Sequence, residues 1–438
     1  MAEVWVSLLA GSVLVVVGFL AAQLFDRYGL PDYAILLTIG LVLGSGLLPL
    51  GAWDPRSSLA AIAPFLMSIA IAFILFDGGL ALHMRGLGRA WAGAGLHTAA
   101  AMALTLAGTW LVVPYALGLS PATAVILGLA FIGPSAAIVL SILPRLRVDE
   151  RTRLTLTLEG VLGNVVAAVL VLVVVRIPGL SDGSAWLPYV AYVAGTVAVA
   201  ALIGEGWARV VNAARPRSFT FMTSVALAIL LYAVGEGVLG GNGGLAAFVF
   251  GLVLGRRGPV LASRWESAPR GAAERGLQEF HRELVFLLRT FFFVYLGLLI
   301  DLRTLTVQGV LGAILLVAVF VVARLPSSVA LAWRWRLPGP DARVLRATVA
   351  RGLTDTVLVL FAISAGAIPA ADAGPATDLL FLVVLLAAFV SAALVFRAER
   401  LASREAAAPP PPGISAPTPP AESPPPQDSS EEEPAANP

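Results

Sequence analysis

Apolar and polar positions along the chain fall into long apolar runs separated by short polar connections. Each run is roughly 20 residues long, the length a helix needs to cross a ~30 Å hydrocarbon core. About 13 such runs follow one another, centred near Val13, Val42, Ala70, Ala103, Gly133, Val165, Ala198, Ala228, Phe248, Phe293, Leu315, Val357 and Val384. This pattern predicts an all-α polytopic membrane protein with a transmembrane domain over residues 1–400. The first run begins directly after Met1-Ala2-Glu3, with no basic segment before it and no clear cleavage site, so it is expected to be retained.

Composition agrees, with 58% hydrophobic and 13% charged residues, far from the balance of a soluble domain. The absence of cysteine removes disulfides and thiolate metal sites from consideration, and no cofactor is called for. All positive side chains are arginine, and their placement gives an orientation. Arg27, Arg85, Arg89, Arg145, Arg147, Arg151 and Arg153 occupy the first, third and fifth connections, and the later odd connections are equally basic. The even ones hold only Arg56, Arg176 and Arg303. The positive-inside rule therefore places the odd connections and the C-terminus in the cytoplasm and the N-terminus outside the cell membrane. Residues 401–438, rich in Pro, Ser, Ala and Glu, are expected to form a disordered cytoplasmic tail. The polar connection 256–282 reads equally as an amphipathic helix on the inner membrane face or as a plain loop. Its arginines are explained by topology, and nucleic acid is not an expected partner.

Polar residues inside the bilayer are functional candidates by default. Counting ~1.5 Å per residue from the cytoplasmic ends, Glu159 lies roughly 9 Å deep and Asn164 roughly 16 Å deep in the sixth run. Arg324 lies roughly 13 Å deep in the eleventh, and Arg351 and Asp355 roughly 8 and 14 Å deep in the twelfth. A charge at such depth needs a partner, and Glu159 with Arg324 or with Arg351 is the economical supporting ion pair.

Helix breakers form a second signal. Gly133-Pro134-Ser135 interrupts the fifth run, and Arg351-Gly352-Leu353-Thr354-Asp355 lies in the twelfth. These runs hold corresponding places in two halves of six, joined by one linking run. Interrupted segments at matched positions point to a transporter built as an inverted repeat, its site at the midplane between broken helices.

Several motifs resemble the monovalent cation:proton antiporters of the sodium/proton exchanger type. Leu75-Phe76-Asp77-Gly78-Gly79-Leu80 is similar to that family's Phe-Glu/Asp-Gly-Gly-Leu, and Gly240 to Gly255 to its ninth helix. Thr290 to Leu298 resembles the tenth, and Arg351-Gly352 the Arg-Gly of the twelfth. The resemblance covers about Trp5 to Phe396. It implies an inverted-repeat antiporter fold with two broken helices crossing at the midplane, a pairing of Glu159 with Arg324, homodimerisation, and elevator-like exchange of Na⁺ or K⁺ for protons.

The chain departs from the family at two points. The sixth helix of typical members ends its motif with an aspartate, where this chain has Asn164, and their Thr-Asp-Pro on the fifth is here Ile132-Gly133-Pro134. An amide can coordinate a cation but cannot exchange it for a proton. Asp355, at a depth close to that of Asn164, is the candidate replacement. Asn164, Thr354, Ser135 and the backbone around Gly133 would complete an oxygen shell of the kind hard cations take. The alternative is that Arg351 and Asp355, four residues apart, neutralise one another.

Asp77, Glu236, Asp26 and Asp301 read as capping or interfacial groups at span ends, and Glu205 with Arg209 as a local pair. His97 reads as a packed neutral histidine before it reads as a proton relay. No nucleophile triad, phosphate loop or metal-ligand cluster is present, so an enzyme is not expected. The leading function is monovalent cation:proton antiport by alternating access. A carrier without proton coupling and a non-transporting sensor or scaffold acting through the tail are the alternatives.

Overall fold

The computed structural model describes residues 11–21, 23–24, 32–45, 55–81, 90–135, 139, 148–176, 186–213, 220–256 and 273–407. The described residues form helices and connections without a β-strand. In chain order the helices are α1 (Gly11–Ala21), α2 (Asp32–Gly44), α3 (Pro55–Ala81), α4 (Ala90–Leu117) and α5 (Pro121–Ala130). They continue with α6 (Glu150–Arg176), α7 (Trp186–Ala213), α8 (Thr220–Gly237), α9 (Gly243–Arg256) and α10 (Ala273–Leu299). The last four are α11 (Val307–Trp335), α12 (Gly339–Ala347), α13 (Leu353–Ser364) and α14 (Ala370–Ala407). Six are long and apolar enough to cross a membrane, and six shorter apolar helices accompany them.

Each of the 13 expected run centres falls in a described helix, apart from Gly133, which lies in a non-helical stretch. Of the polar connection 256–282, residues 273–282 belong to α10, and 257–272 lie outside the described residues. Helix α14 runs to Ala407, so residues 401–407 are helical; the remainder of the expected tail and Asp26 also lie outside the described residues.

The helices divide into two bundles. In one, α3 packs on α9, α2 on α10, and α7 and α8 on α9, while Gly18 of α1 abuts Thr290 and Phe286 of α10. In the other, α4 packs on α11, α5 and α6, while α14 packs on α11, α12 and α13. The bundles meet where α3 touches α6 and α13, and where α10 touches α13 and α14.

Two glycine crossings hold the first bundle. Gly40 of α2 lies against Gly297 of α10, where a Cβ on Gly297 would stand 2.9 Å from the Gly40 Cα. Gly79 of α3 lies against Gly251 of α9, where a Cβ on Gly79 would stand 3.0 Å from the Gly251 carbonyl carbon. Small residues let backbones approach closely where lipid offers helices no hydrophobic drive to associate. The pentapeptide Gly-Leu-Val-Leu-Gly occurs at both places, as residues 40–44 and 251–255. Exchanging the first six spans for the last six converts the α2–α10 crossing into the α9–α3 crossing. The inverted repeat is therefore written in contacts as well as in the helix breaks.

Replacing Gly251 by valine drives a side chain into the Phe76 carbonyl. Overpacking of this kind is expected to lower stability by about 1–3 kcal/mol. The midpoint of thermal unfolding of the detergent-purified protein measures it, with Gly195→Val, whose Cβ meets nothing within 4 Å, as the neutral control.

Candidate functional site

Helix α5 starts cleanly, with Ser120 as its N-cap and Pro121 at the first helical position. Asp372 of α14 reinforces that cap, accepting from the Ser120 N–H at 2.9 Å and the Thr123 hydroxyl at 2.6 Å. The helix ends at Phe131, whose N–H closes the last turn on Leu127. Pro134 cannot donate a backbone hydrogen bond and biases Gly133 away from helical angles, so residues 131–135 leave the helix. In the other half, α12 stops at Ala347 and α13 begins at Leu353, leaving 348–352 non-helical.

The two interrupted stretches lie against each other. The Ser135 N–H donates to the Ala350 carbonyl at 3.0 Å, and Arg351 Nη1 donates to the Gly133 carbonyl at 2.9 Å. Helix α6 closes on the same point, since a Cβ on Gly133 would stand 2.6 Å from the Gly163 Cα. Asn164, the next residue, is half-buried beside this contact. Ser135, Thr354, Arg351 and Asp355 are buried, and α13 packs on both α5 and α6. The structure thus gathers residues 133, 135, 351, 354 and 355 at one crossing, with α6 on its flank.

Charge follows the helix ends. Asp355 sits in the first turn of α13 and accepts from the Gly352 N–H, placing a carboxylate at the positive end of that helix. Arg351 brings a guanidinium to the carbonyl end of the α5 segment and lies 4.1 Å over the Phe320 ring. Arg351 thus gives one hydrogen bond to backbone and lays its face on an aromatic ring, while remaining electrostatically coupled to Asp355. Among the described residues no ion pair joins it to Asp355. A carbonyl freed by the α5 break needs a donor in a medium without water, and Arg351 is the one within reach.

Arg324 does the same for α12. Its Nε donates to Leu345 at 2.6 Å and its Nη2 to the Thr348 hydroxyl at 2.8 Å, both at the C-terminal end of that helix. The same guanidinium pairs with Glu159 through two bonds of 2.5 Å each, Nη1 to Oε1 and Nη2 to Oε2. One buried side chain so fastens α11, α6 and the start of the second interruption. His97 of α4 completes the surroundings, its Nε2 3.6 Å from Glu159 Oε2.

Beyond the C-terminal end of α13, a cavity of about 650 Å³ opens between the bundles. Met67 of α3 and Tyr295 of α10 line one side, Leu360 of α13 and Asp378 of α14 the other, with Asp301 and Thr304 beside them. Leu360 is five residues from Asp355, roughly 7.5 Å along the helix axis.

Two interrupted helices crossing in a buried, charge-balanced pocket, inside an inverted-repeat membrane fold, are the setting for comparison with known proteins. Residues 12–397 match the family described as sodium/hydrogen exchanger, transmembrane. The chain belongs to this family. A curated relative, the K(+)/H(+) antiporter NhaP of Alkalimonas amylolytica, is 26% identical over 370 residues, which cover 82% of this chain and 61% of that protein's length. The structure of the sodium proton antiporter MjNhaP1 from Methanocaldococcus jannaschii at pH 8 superposes with a TM-score of 0.73 at 20% identity, covering 91% of this chain and 99% of the other. A second structure of that antiporter, from electron microscopy, gives 0.70 at 20% identity and 91% and 98% coverage. The antiporter fold expected from the sequence is thereby established.

Within the family frame, two features escaped the sequence reading. Thr348 supplies a hydroxyl to Arg324, and nothing in its sequence context singles it out. Arg289, half-buried in α10, is a third arginine within an apolar span, beside Arg324 and Arg351. Glu236, read as interfacial, accepts from Arg176 at 2.6 Å and from the Gly243 N–H at 3.3 Å, tying together the ends of α6, α8 and α9. Glu205 and Arg209 form the expected local pair at 3.3 Å.

Removing one partner of a buried ion pair leaves the other charge uncompensated, and Arg324→Ala is expected to cost about 3–5 kcal/mol. Arg324→Lys keeps the charge yet cannot span Glu159, Leu345 and Thr348 together, so it should recover only part of that loss. Unfolding midpoints of the two purified variants measure both effects.

Proposed function

We propose that this chain exchanges a monovalent cation, Na⁺ or K⁺, for protons across the cell membrane by alternating access. Family membership supports antiport, and the curated relative is named for K⁺ and H⁺. The observation that carries the reading is Asp355: a buried carboxylate in the first turn of a half-helix, at the crossing of the two interruptions. In this reading Asp355 takes the place of the aspartate that Asn164 lacks. It holds a proton in one state and, with Asn164, Ser135, Thr354 and the backbone near Gly133, a cation in the other. Hard monovalent cations favour such oxygen-only surroundings.

The bundle containing α4–α6 and α11–α14 moves as the carrier against the bundle of α1–α3 and α7–α10. The bundle of α1–α3 and α7–α10 also provides the face for a homodimer. The arginine bias sets the N-terminus outside and the C-terminus in the cytoplasm. The 650 Å³ cavity then lies on the outer side and leads from bulk solvent toward Asp355.

A second reading draws on the hydrogen bond from the Gly352 N–H to Asp355. In that reading Asp355 is a permanent cap, and the scaffold carries its solute without proton coupling.

Proteoliposomes with an entrapped pH dye separate the two. Addition of Na⁺, K⁺ or Li⁺ to acid-loaded vesicles should move protons in the wild type. Asp355→Asn should reduce that response to the level of empty liposomes, and Asn164→Asp should retain or raise it. A full response in Asp355→Asn, or isotope flux of the cation without proton movement, would overturn proton exchange through Asp355.

A further inference from the structure

The glycine run 240–244 resembles the start of the family's ninth helix, and the exchange reading gives it no task. It makes the turn from α8 into α9, where Gly240 and Gly241 have φ of 67° and 78°, a region glycine enters freely. The Gly241 and Asn242 N–H groups both donate to the Gly235 carbonyl, at 3.1 and 3.0 Å, which fixes the turn to the end of α8. Without Cβ atoms the turn is a floor, and side chains of α6 stand on it. A Cβ on Gly241 would collide with the Arg176 guanidinium, and one on Gly244 with Leu172. Toward the middle of α6, a Cβ on Gly78 of α3 would collide with Val165. Val165, Leu172 and Arg176 fall within roughly 40° around α6, so one stripe of that helix rests in three glycine notches of the other bundle.

At the end of this stripe Arg176 Nη2 donates to Glu236 Oε2 at 2.6 Å, and Glu236 Oε1 accepts from the Gly243 N–H at 3.3 Å. The pair thus joins α6 of one bundle to α8 and α9 of the other. We propose that Arg176 and Glu236 form a catch between the bundles: positioning residues that hold the carrier bundle in its present place and must part before it moves. This inference rests on the exchange reading, which makes α4–α6 and α11–α14 the moving part.

Exposure separates this pair from the other ion pair of α6. The Arg176 and Glu236 side chains are 35% and 25% exposed, whereas those of Arg324 and Glu159 are 5% and 2% exposed. Parting Arg324 from Glu159 would strand two charges in a low-dielectric interior. Parting Arg176 from Glu236 returns both charges to water, so this contact can open and close repeatedly at modest cost. The notches suit the same task, because a side chain resting on glycine meets backbone rather than an interlocking side chain, and packed helices can slide there. Arg176 also stands on the side that the positive-inside rule leaves poor in arginine, so topology does not account for its charge. By the proposed orientation α6 and α10 both end on the outer side. The catch is then closed while the cavity at that end, lined by Tyr295 and Leu299 of α10, is open.

The chain has no cysteine, so introduced thiols are the sole targets of thiol reagents. In Arg176→Cys with Glu236→Cys, a reducible bis-methanethiosulfonate linker, its attachment confirmed by mass spectrometry, should stop proton movement in the proteoliposome assay, and reduction should restore it. Linked protein that exchanges at the unlinked rate would sink the proposal. A second measurement needs no ion flux. The thiol of Leu172→Cys, seated on Gly244, should react with a water-soluble maleimide as the end of α6 lifts away. Glu236→Gln should speed that reaction by about two- to fivefold, the range set by a half-exposed charge pair. A pair that serves the fold alone would lower the unfolding midpoint of Glu236→Gln and leave the labelling rate unchanged, and that outcome overturns the catch. Should the double cysteine variant be inactive before linking, the labelling rate decides. Wild-type vesicles without exchange, combined with labelling that still depends on Glu236, count against the exchange reading and leave the catch standing.

Discussion

A helix interrupted inside a bilayer releases carbonyl and amide groups that no water can satisfy, and this constraint governs the arrangement of the carrier bundle. The α5 break frees the Gly133 carbonyl, which Arg351 takes. The end of α12 frees the Leu345 carbonyl, which Arg324 takes. The start of α13 frees the Gly352 N–H, which Asp355 takes. Cations thus sit at carbonyl ends and an acid at an amide end, as helix dipoles favour. Glu159 is then required because Arg324 would otherwise be a charge isolated in a low-dielectric interior. The intramembrane charges of this chain are consequences of its broken helices before they are tools of transport.

The two bundles solve different problems with the same small residues. In the scaffold, Gly40 with Gly297 and Gly79 with Gly251 weld neighbouring backbones, and no charge is involved. In the carrier bundle, Gly133 against Gly163 brings α6 onto a place where the backbone is already open. The first arrangement favours rigidity, since every backbone hydrogen bond stays within its own helix. The second leaves polar groups whose partners are side chains, and side chains have rotamers to change.

Much of this was legible in the residues. Apolar runs gave the helices, Gly133-Pro134 and Arg351-Gly352 gave the interruptions, and depth counting put Glu159 and Arg324 in one layer. What depth counting lacks is azimuth. Arg351 and Asp355 share a helical face only if residues 351–355 are helical, and the helix begins at Leu353. The interruption turns Arg351 toward α5 while Asp355 stays with its own helix, and the two remain electrostatically coupled without a direct ion pair among the described residues. Thr348 was invisible for a related reason: a threonine gains meaning only when an unravelled turn points its hydroxyl at Arg324. The repeated Gly-Leu-Val-Leu-Gly was present from the start, yet only the crossing of α2 on α10 and α3 on α9 gives it a function.

Positions 164 and 355 offer an acid different surroundings. A carboxylate at position 164 would lie on an uninterrupted helix, whose own amides are all engaged within it. A carboxylate at position 355 sits at the positive end of a half-helix, where a free amide stabilises the charged form. Asp355 lies at the crossing itself, and Asn164 follows Gly163, the residue of α6 that abuts Gly133. At 355 the acid lies four residues from Arg351, whose guanidinium is electrostatically coupled to it. Phe320 and the Gly133 carbonyl hold the Arg351 guanidinium on the α5 side of the crossing.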